Sequence, residues 1–179
     1  MAGATLDQKI NLADLSFEQL KEFFAALGEK PFRAQQMMRW IYQFGITDFE
    51  LMTNIKKDLR SKLATQCEIK FPEIVTEQRS ADGTVKWALD IGNGQLVETV
   101  LIPEDDRNTL CISTQVGCPV GCVFCRTGAS GFNRNLTLSE ILGQVWRAAS
   151  VVGFSHNEEH KPISNVVMMG MGDFLDDDF

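Results

Sequence analysis

Cys118-Pro-Val-Gly-Cys122-Val-Phe-Cys125 sets three thiols at C-x3-C-x2-C spacing on one short stretch. Three is the informative count. A structural zinc site takes four ligands and closes its shell. Electron-transfer iron–sulfur clusters are also held by four cysteines. A 4Fe–4S cluster held by only three leaves one iron open to a substrate or cofactor. The amino and carboxylate groups of S-adenosylmethionine can chelate such an iron, and an electron from the cluster then breaks the sulfonium to give a carbon radical. A zinc reading stays open beside it, with Cys111, His156 or His160 as fourth ligand in a non-catalytic, zinc-bound module.

Such a loop needs elements that hold it. The spacing predicts a strand over Thr109–Gln115, the cysteine-rich loop over 116–135, and a helix from Thr137 to about Val151. Thr137 with Glu140 forms a capping-box signature at the start of that helix. A polar loop (153–162) and a buried-looking strand, Ile163–Met169, follow. Strand, loop, helix, strand is a βαβ unit, which implies a parallel sheet with ligands at the carboxyl ends of its strands.

Upstream, three extended runs (Glu73–Gln78, Thr84–Ile91, Gln95–Leu101) are separated by Ala81-Asp82-Gly83 and Gly92-Asn93-Gly94, both hairpin turn signals. Alternation puts Glu98 on one face with Leu96 and Val100; taken alone, a strand Glu is a solvated position. Pro103-Glu104-Asp105-Asp106 is expected to break the hairpins. The first third reads as helices. Ser16/Gln19 makes a capping box ahead of Leu20, Phe23, Phe24 and Leu27. Pro31 opens a second helix, with Ala34, Met37, Met38 and Ile41 on one face up to Gly45. Ile55, Leu59 and Leu63 mark a third. The expected divisions are 1–75, 76–106 and 107–179.

The chain has 179 residues, 44% hydrophobic and 23% charged, an ordinary globular mix. No run of about 18 apolar residues exists to span a membrane. The first residues carry no basic-then-apolar signal pattern, so reduced cysteines are expected. A net charge of −7 argues against a simple nucleic-acid sponge, but the charge is uneven. Residues 1–75 hold ten basic and ten acidic side chains; residues 76–179 hold seven and fourteen. Within 30–62, Lys30, Arg33, Arg39, Lys56, Lys57, Arg60 and Lys62 face only three acids, a local +4 suited to phosphate or simply a solvated helix surface.

Four further stretches extend the pattern: Thr109-Leu-Cys-Ile-Ser-Thr-Gln-Val-Gly-Cys118, Gly131-Phe-Asn-Arg-Asn-Leu136, Gly143-Gln-Val-Trp-Arg-Ala148 and Asn165-Val-Val-Met-Met-Gly-Met-Gly172. With the cysteine loop they resemble the RlmN family of radical S-adenosylmethionine enzymes, from about Asn11 to Gly172. Cfr-type adenine C8 methyltransferases share the loop, but Lys30-Pro-Phe-Arg33, Glu98-Thr-Val and Ile102-Pro-Glu104 read as RlmN. The resemblance implies an α/β fold: a small helical RNA-binding domain, a β-hairpin section, and the first β-α-β of a partial (β/α) barrel. It implies methylation of C2 of an adenine in 23S rRNA and of another in the tRNA anticodon arm, with two molecules of S-adenosylmethionine used per turnover. The partners it implies are 23S rRNA, tRNA and an electron donor such as flavodoxin. The setting it implies is the cytoplasm, with no membrane and a monomeric complete protein.

The resemblance also assigns roles. Cys118, Cys122 and Cys125 match the ligands of the 4Fe–4S cluster. Cys111 matches the cysteine that resolves the RNA–protein adduct by forming a disulfide, and Glu98 the proton acceptor. Gly172 and Asp173 match the Gly-Glu that holds the amino group of S-adenosylmethionine. Cys67 matches nothing and is expected in the core. Asp173-Phe174 stand where the family has Glu-Pro, and about half of a family member, including the cysteine that carries the methyl, is absent from this sequence. The chain by itself is therefore expected not to methylate RNA.

Overall fold

A computed structural model describes residues 9–105, 107–154 and 162–172. The chain divides into two compact units between Lys70 and Phe71.

The first unit is helical. Its elements are β1 (Ile10–Asn11), α1 (Phe17–Ala26), α2 (Phe32–Met38), α3 (Lys57–Gln66) and β2 (Cys67–Glu68), with β1 and β2 paired in parallel. The capping box forms as expected: the Ser16 hydroxyl accepts from the Gln19 N–H, and the Gln19 side chain accepts from the Ser16 N–H. Of the residues the spacing puts inward, Leu20, Phe24, Ala34, Met37, Ile41, Ile55, Leu59 and Leu63 are buried, while Phe23, Leu27 and Met38 are half-buried. Each large apolar side chain so buried stabilises the unit by about 1.5–3 kcal/mol.

Two expectations for this unit need correction. The second helix does not run unbroken to Gly45. After Met38 it widens into a π-helical turn, Arg39–Gln43, in which the Phe44 N–H donates to the Arg39 carbonyl at 3.0 Å. The wider turn keeps Ile41 buried while the Trp40 indole N–H reaches the Asn54 side chain at 2.6 Å. Nor do all seven cations of residues 30–62 face solvent. Arg33 is only 8% exposed, because its guanidinium is held by Glu29 at 3.2 Å and by Gln36 at 2.6 Å. Arg60 donates to the Glu50 carbonyl. Lys30, Arg39, Lys56, Lys57 and Lys62 remain exposed.

The second unit is built on one mixed sheet. Its elements are β3 (Glu73–Arg79), β4 (Val85–Asp90), β5 (Leu96–Pro103), β6 (Asn108–Cys111), β7 (Gln115–Gly117), α4 (Arg126–Ala129), β8 (Phe132–Asn135), α5 (Leu138–Val152) and β9 (Asn165–Val167). The sheet order is β3-β4-β5-β6-β9, antiparallel up to β6, with β9 parallel to β6. The expected break at Pro103-Glu104-Asp105-Asp106, of which Asp106 lies outside the described residues, is not seen at 103–105. Pro103 pairs with Asn108, and the Glu104 N–H donates to the Arg107 carbonyl at 2.8 Å, so the chain turns directly from β5 into β6. Pro103 is tolerated there because the final residue of a strand has no further ladder bond to donate.

One sheet face is dry. Val85, Trp87, Leu89, Val97, Leu101 and Leu110 are buried there in one core with Ala148 of α5. The Trp87 indole N–H is satisfied by the Glu77 carboxylate at 2.8 Å. Helix α5 starts at the expected Thr137/Glu140 capping box and lies close over the chain at Gly143, where a Cβ would stand 2.4 Å from the Pro72 ring. The strand read as buried, Ile163–Met169, is shorter and more open: among the described residues β9 lies at one edge of the sheet, and Val166, Met168 and Met169 are exposed. No helix of the described residues is long and apolar enough to cross a membrane.

Candidate metal centre

The site begins where the β6 ladder ends. The expected strand over Thr109–Gln115 stops pairing regularly after Cys111, and each backbone group beyond it is met in another way. Ile112 donates to the Val167 carbonyl and accepts from the Gly170 N–H, both at 2.9 Å. The Gln144 amide of α5 takes both groups of Ser113, accepting from its N–H at 2.7 Å and donating to its carbonyl at 2.8 Å. Thr114 donates to Met171 O and accepts from the Leu136 N–H, each at 2.9 Å. Buried backbone groups must be paired, and here a buried glutamine stands in for a neighbouring strand. The Thr99 hydroxyl donates to the same Gln144 oxygen at 2.8 Å.

The Ser113 hydroxyl is a second junction. It donates to the Glu98 carbonyl at 2.7 Å and accepts from the Met171 N–H at 2.9 Å. The Gly170-Met-Gly172 segment therefore lies tightly against 112–115. A Cβ on Gly170 would meet the Ser113 hydroxyl at 2.7 Å, and one on Gly172, whose φ is +119°, would meet the Thr114 hydroxyl at 2.6 Å. Only glycine fits both places.

Past this point β7 and β8 pair antiparallel and close the cysteine loop at its base. This ribbon corrects the reading of residues 116–135 as loop. Gly117, at φ +80°, packs so closely on Gly131 that a Cβ would overlap the Gly131 carbonyl. Arg134 of β8 holds Glu140 with two hydrogen bonds, 2.7 and 2.8 Å, and Asn135 accepts from the buried Gln115 amide at 2.9 Å. These residues lie in the motifs that carry the resemblance, yet their role shows only in three dimensions.

Cys118, Cys122 and Cys125 stand on the closed loop, all partly exposed. The Cys118 N–H is fixed to the Gly131 carbonyl at 3.2 Å, and the Cys125 N–H to the Cys122 carbonyl at 3.0 Å. The backbone N–H groups of Gly128 and Thr127, aimed at the Cys125 sulfur, pull its pKa below the ordinary thiol value and favour the thiolate that binds metal. Val123 and Phe124 project into solvent between Cys122 and Cys125. Among the described residues no three His, Cys, Asp or Glu side chains converge as ligands of a single metal ion. His156, His160 and Asp173 lie outside the described residues. The donor set fits an iron–sulfur cluster, whose irons each take a separate thiolate: three sulfurs on one backbone-fixed loop, with one biased toward thiolate.

Glu98 and Cys111 share the sheet face opposite α5. Val100 pairs directly with Cys111, so Glu98, two residues away on the same face, is its diagonal neighbour at about 7 Å. Glu98 is exposed and pairs with Lys86 at 3.0 Å. Cys111 is half-buried; burial raises its pKa, partly offset by the Met169 N–H. Cys67 is buried in the first unit, and burial pushes its thiol up to about 11. All five cysteines are free thiols.

Two comparisons bear on this arrangement. Residues 10–69 match the family model of the ribosomal RNA large subunit methyltransferase N-terminal domain. A radical SAM methyltransferase from Sphaerobacter thermophilus, known from its crystal structure, is 41% identical, with a TM-score of 0.77 over 91% of this chain and 47% of that one. The chain thus spans about half the length of that relative. Its mixed α/β architecture is that of a radical SAM methyltransferase. More particularly, with residues 10–69 matching the N-terminal domain of a ribosomal RNA methyltransferase family, the chain is RlmN-like.

Proposed function

We propose that this chain contributes the RNA-binding domain and the cluster-binding loop of a methyltransferase that acts on C2 of an adenine in 23S rRNA and in tRNA. The observation that supports this most is the cysteine loop itself: three thiols on one loop closed at its base by the β7–β8 ribbon. Cys118, Cys122 and Cys125 hold a 4Fe–4S cluster. When bound, the cluster supplies one electron at an iron left open for S-adenosylmethionine. Gly172, packed against Thr114, and Asp173 after it receive the amino group of that cofactor.

The remaining roles belong to the open sheet face. Glu98, solvent-accessible beside Lys86, accepts a proton from the modified adenine. Cys111, half-buried, resolves the RNA adduct: its sulfur forms a disulfide with the cysteine sulfur of the adduct, whose bond to the transferred carbon breaks. The exposed Lys56 and Lys57 of the first unit meet RNA phosphate, with electrons delivered by a flavodoxin-like donor in the cytoplasm.

The test is anaerobic reconstitution with iron and sulfide. A brown protein with about four irons per chain is expected, and Cys118→Ala, Cys122→Ala or Cys125→Ala each abolishes it. A colourless protein that binds zinc tightly would overturn the reading. So would iron retained at full stoichiometry in the triple variant.

A further inference from the structure

The first unit has a surface pocket of about 330 Å³, between α2, the π-helical turn that follows it, and the segment at Asn54. Three aromatic rings (Phe32, Trp40 and Phe44) form its walls, with Arg39 and the amides of Gln36 and Asn54. Phe32 is 52% exposed and Phe44 37%, unusual for phenylalanines in a small domain with its own core. The floor is fixed: the Trp40 indole donates to Asn54 Oδ1 at 2.6 Å, and the Gln36 amide donates to the Asn54 carbonyl at 3.1 Å. Trp40 stands edge-on to Phe44, centroids 5.1 Å apart. Arg39 lies over Phe44 at 5.7 Å, its Nε anchored to Gln43 at 3.0 Å. Arg33, from beneath, lies over Phe32 at 4.8 Å.

The chemistry selects an occupant. Aromatic faces and a planar guanidinium stack a nucleobase of any identity. Side-chain amides at the floor can meet base edges. Lys30, two residues before Phe32, and Lys56, two after Asn54, are exposed cations for the flanking phosphates. No carboxylate lines the pocket, which suits an anion-bearing ligand. The wall is also a π-helical turn, a geometry that recurs at functional sites. A base inside a duplex offers no open face, so the ligand must be unpaired.

We propose that this pocket stacks one unpaired base of a looped or single-stranded RNA, so that the first unit reads exposed bases as well as backbone charge. The proposal rests on the reading of the chain as part of an RNA-modifying enzyme.

The experiment uses the full chain and two RNAs bearing 2-aminopurine, one in a stem–loop with the probe in the loop, the other a duplex with the probe paired. Wild type should bind the stem–loop more tightly and quench its probe, as stacking requires. Phe32→Leu and Phe44→Leu keep apolar bulk but lose the stacking face. Each should weaken stem–loop binding on the order of tenfold and abolish the quench, with duplex affinity unchanged. Arg39→Gln, at an exposed position, gives a third variant with no core packing to lose. Equal loss for both RNAs would overturn the pocket. So would full retention of stem–loop affinity in all three variants, which would leave a protein segment as the occupant. Wild type that binds neither RNA would sink the RNA reading itself.

Discussion

At the root of the cysteine loop, Gln115 and Gln144 are fully buried, and the backbone groups of Ile112, Ser113 and Thr114 all have partners. A few residues further on, Val123 and Phe124 stand in solvent and the thiols are partly exposed. The contrast is one of timing. Interactions at the root are complete within the chain, so they contribute to folding stability. Those at the crown are incomplete within the chain, and under the proposed function their side chains contribute to cluster affinity instead. Substitutions should therefore sort by position: root variants change unfolding, crown variants change loading.

The sharpest way to break this comparison is Gln144→Ala. It leaves the Ser113 N–H and carbonyl buried without partners, at about 1–3 kcal/mol each. A loss of about 4 kcal/mol in urea unfolding is expected, and a loss below about 1 kcal/mol would show that Gln144 is not a strand substitute. Gly117→Ala should cost about 2–3 kcal/mol, since it combines φ +80° with an overlap on Gly131. It should also lower iron incorporation, because the ribbon closes the loop. Arg134→Ala removes a bidentate contact to Glu140 and should cost about 1–2 kcal/mol by the same measurement. At the crown, Phe124→Ser should shift stability by less than about 0.5 kcal/mol while reducing the iron content measured after reconstitution.

The thiol of Cys67 gives a pH-dependent counterpart in the first unit. Its folded pKa, about 11, lies above the ordinary 9.0 because burial penalises the thiolate. Its contribution to stability is therefore complete below pH 9 and is lost as pH rises toward about 11. Cys67→Ala should flatten that part of the stability profile. An unchanged slope would assign it to other groups.

Local signals in the sequence were dependable guides. Both capping boxes, the two Gly-containing hairpin turns and the inward face of α1 need only neighbouring residues to form, and each stands where the sequence places it. The cysteine spacing was equally plain. What stayed hidden depends on which side chains pair once the chain is folded, near or distant in sequence. Gln144 looks like any polar residue on a helix until Ser113, 31 positions earlier, is brought beneath it. Arg33 reads as a phosphate ligand until Glu29 and Gln36 close around it. The β7–β8 ribbon has too few residues to show an alternating pattern. The π-helical turn has no spacing signature of its own, and with it the pocket of the first unit went unforeseen.

The Ser113 hydroxyl also carries a kinetic consequence. It joins Glu98, 15 residues away, to Met171, 58 residues away. Closing so long a loop costs more chain entropy than forming the β3–β5 hairpins, so the junction should assemble after them. During synthesis the thiols of Cys118, Cys122 and Cys125 would then be out of the ribosome before their cradle is rigid, open to metal delivery and to oxygen alike. Ser113→Ala should speed unfolding and leave the refolding rate nearly unchanged in stopped-flow measurements. Slowed refolding would place the junction in the folding nucleus instead, with the cradle formed before the cluster arrives.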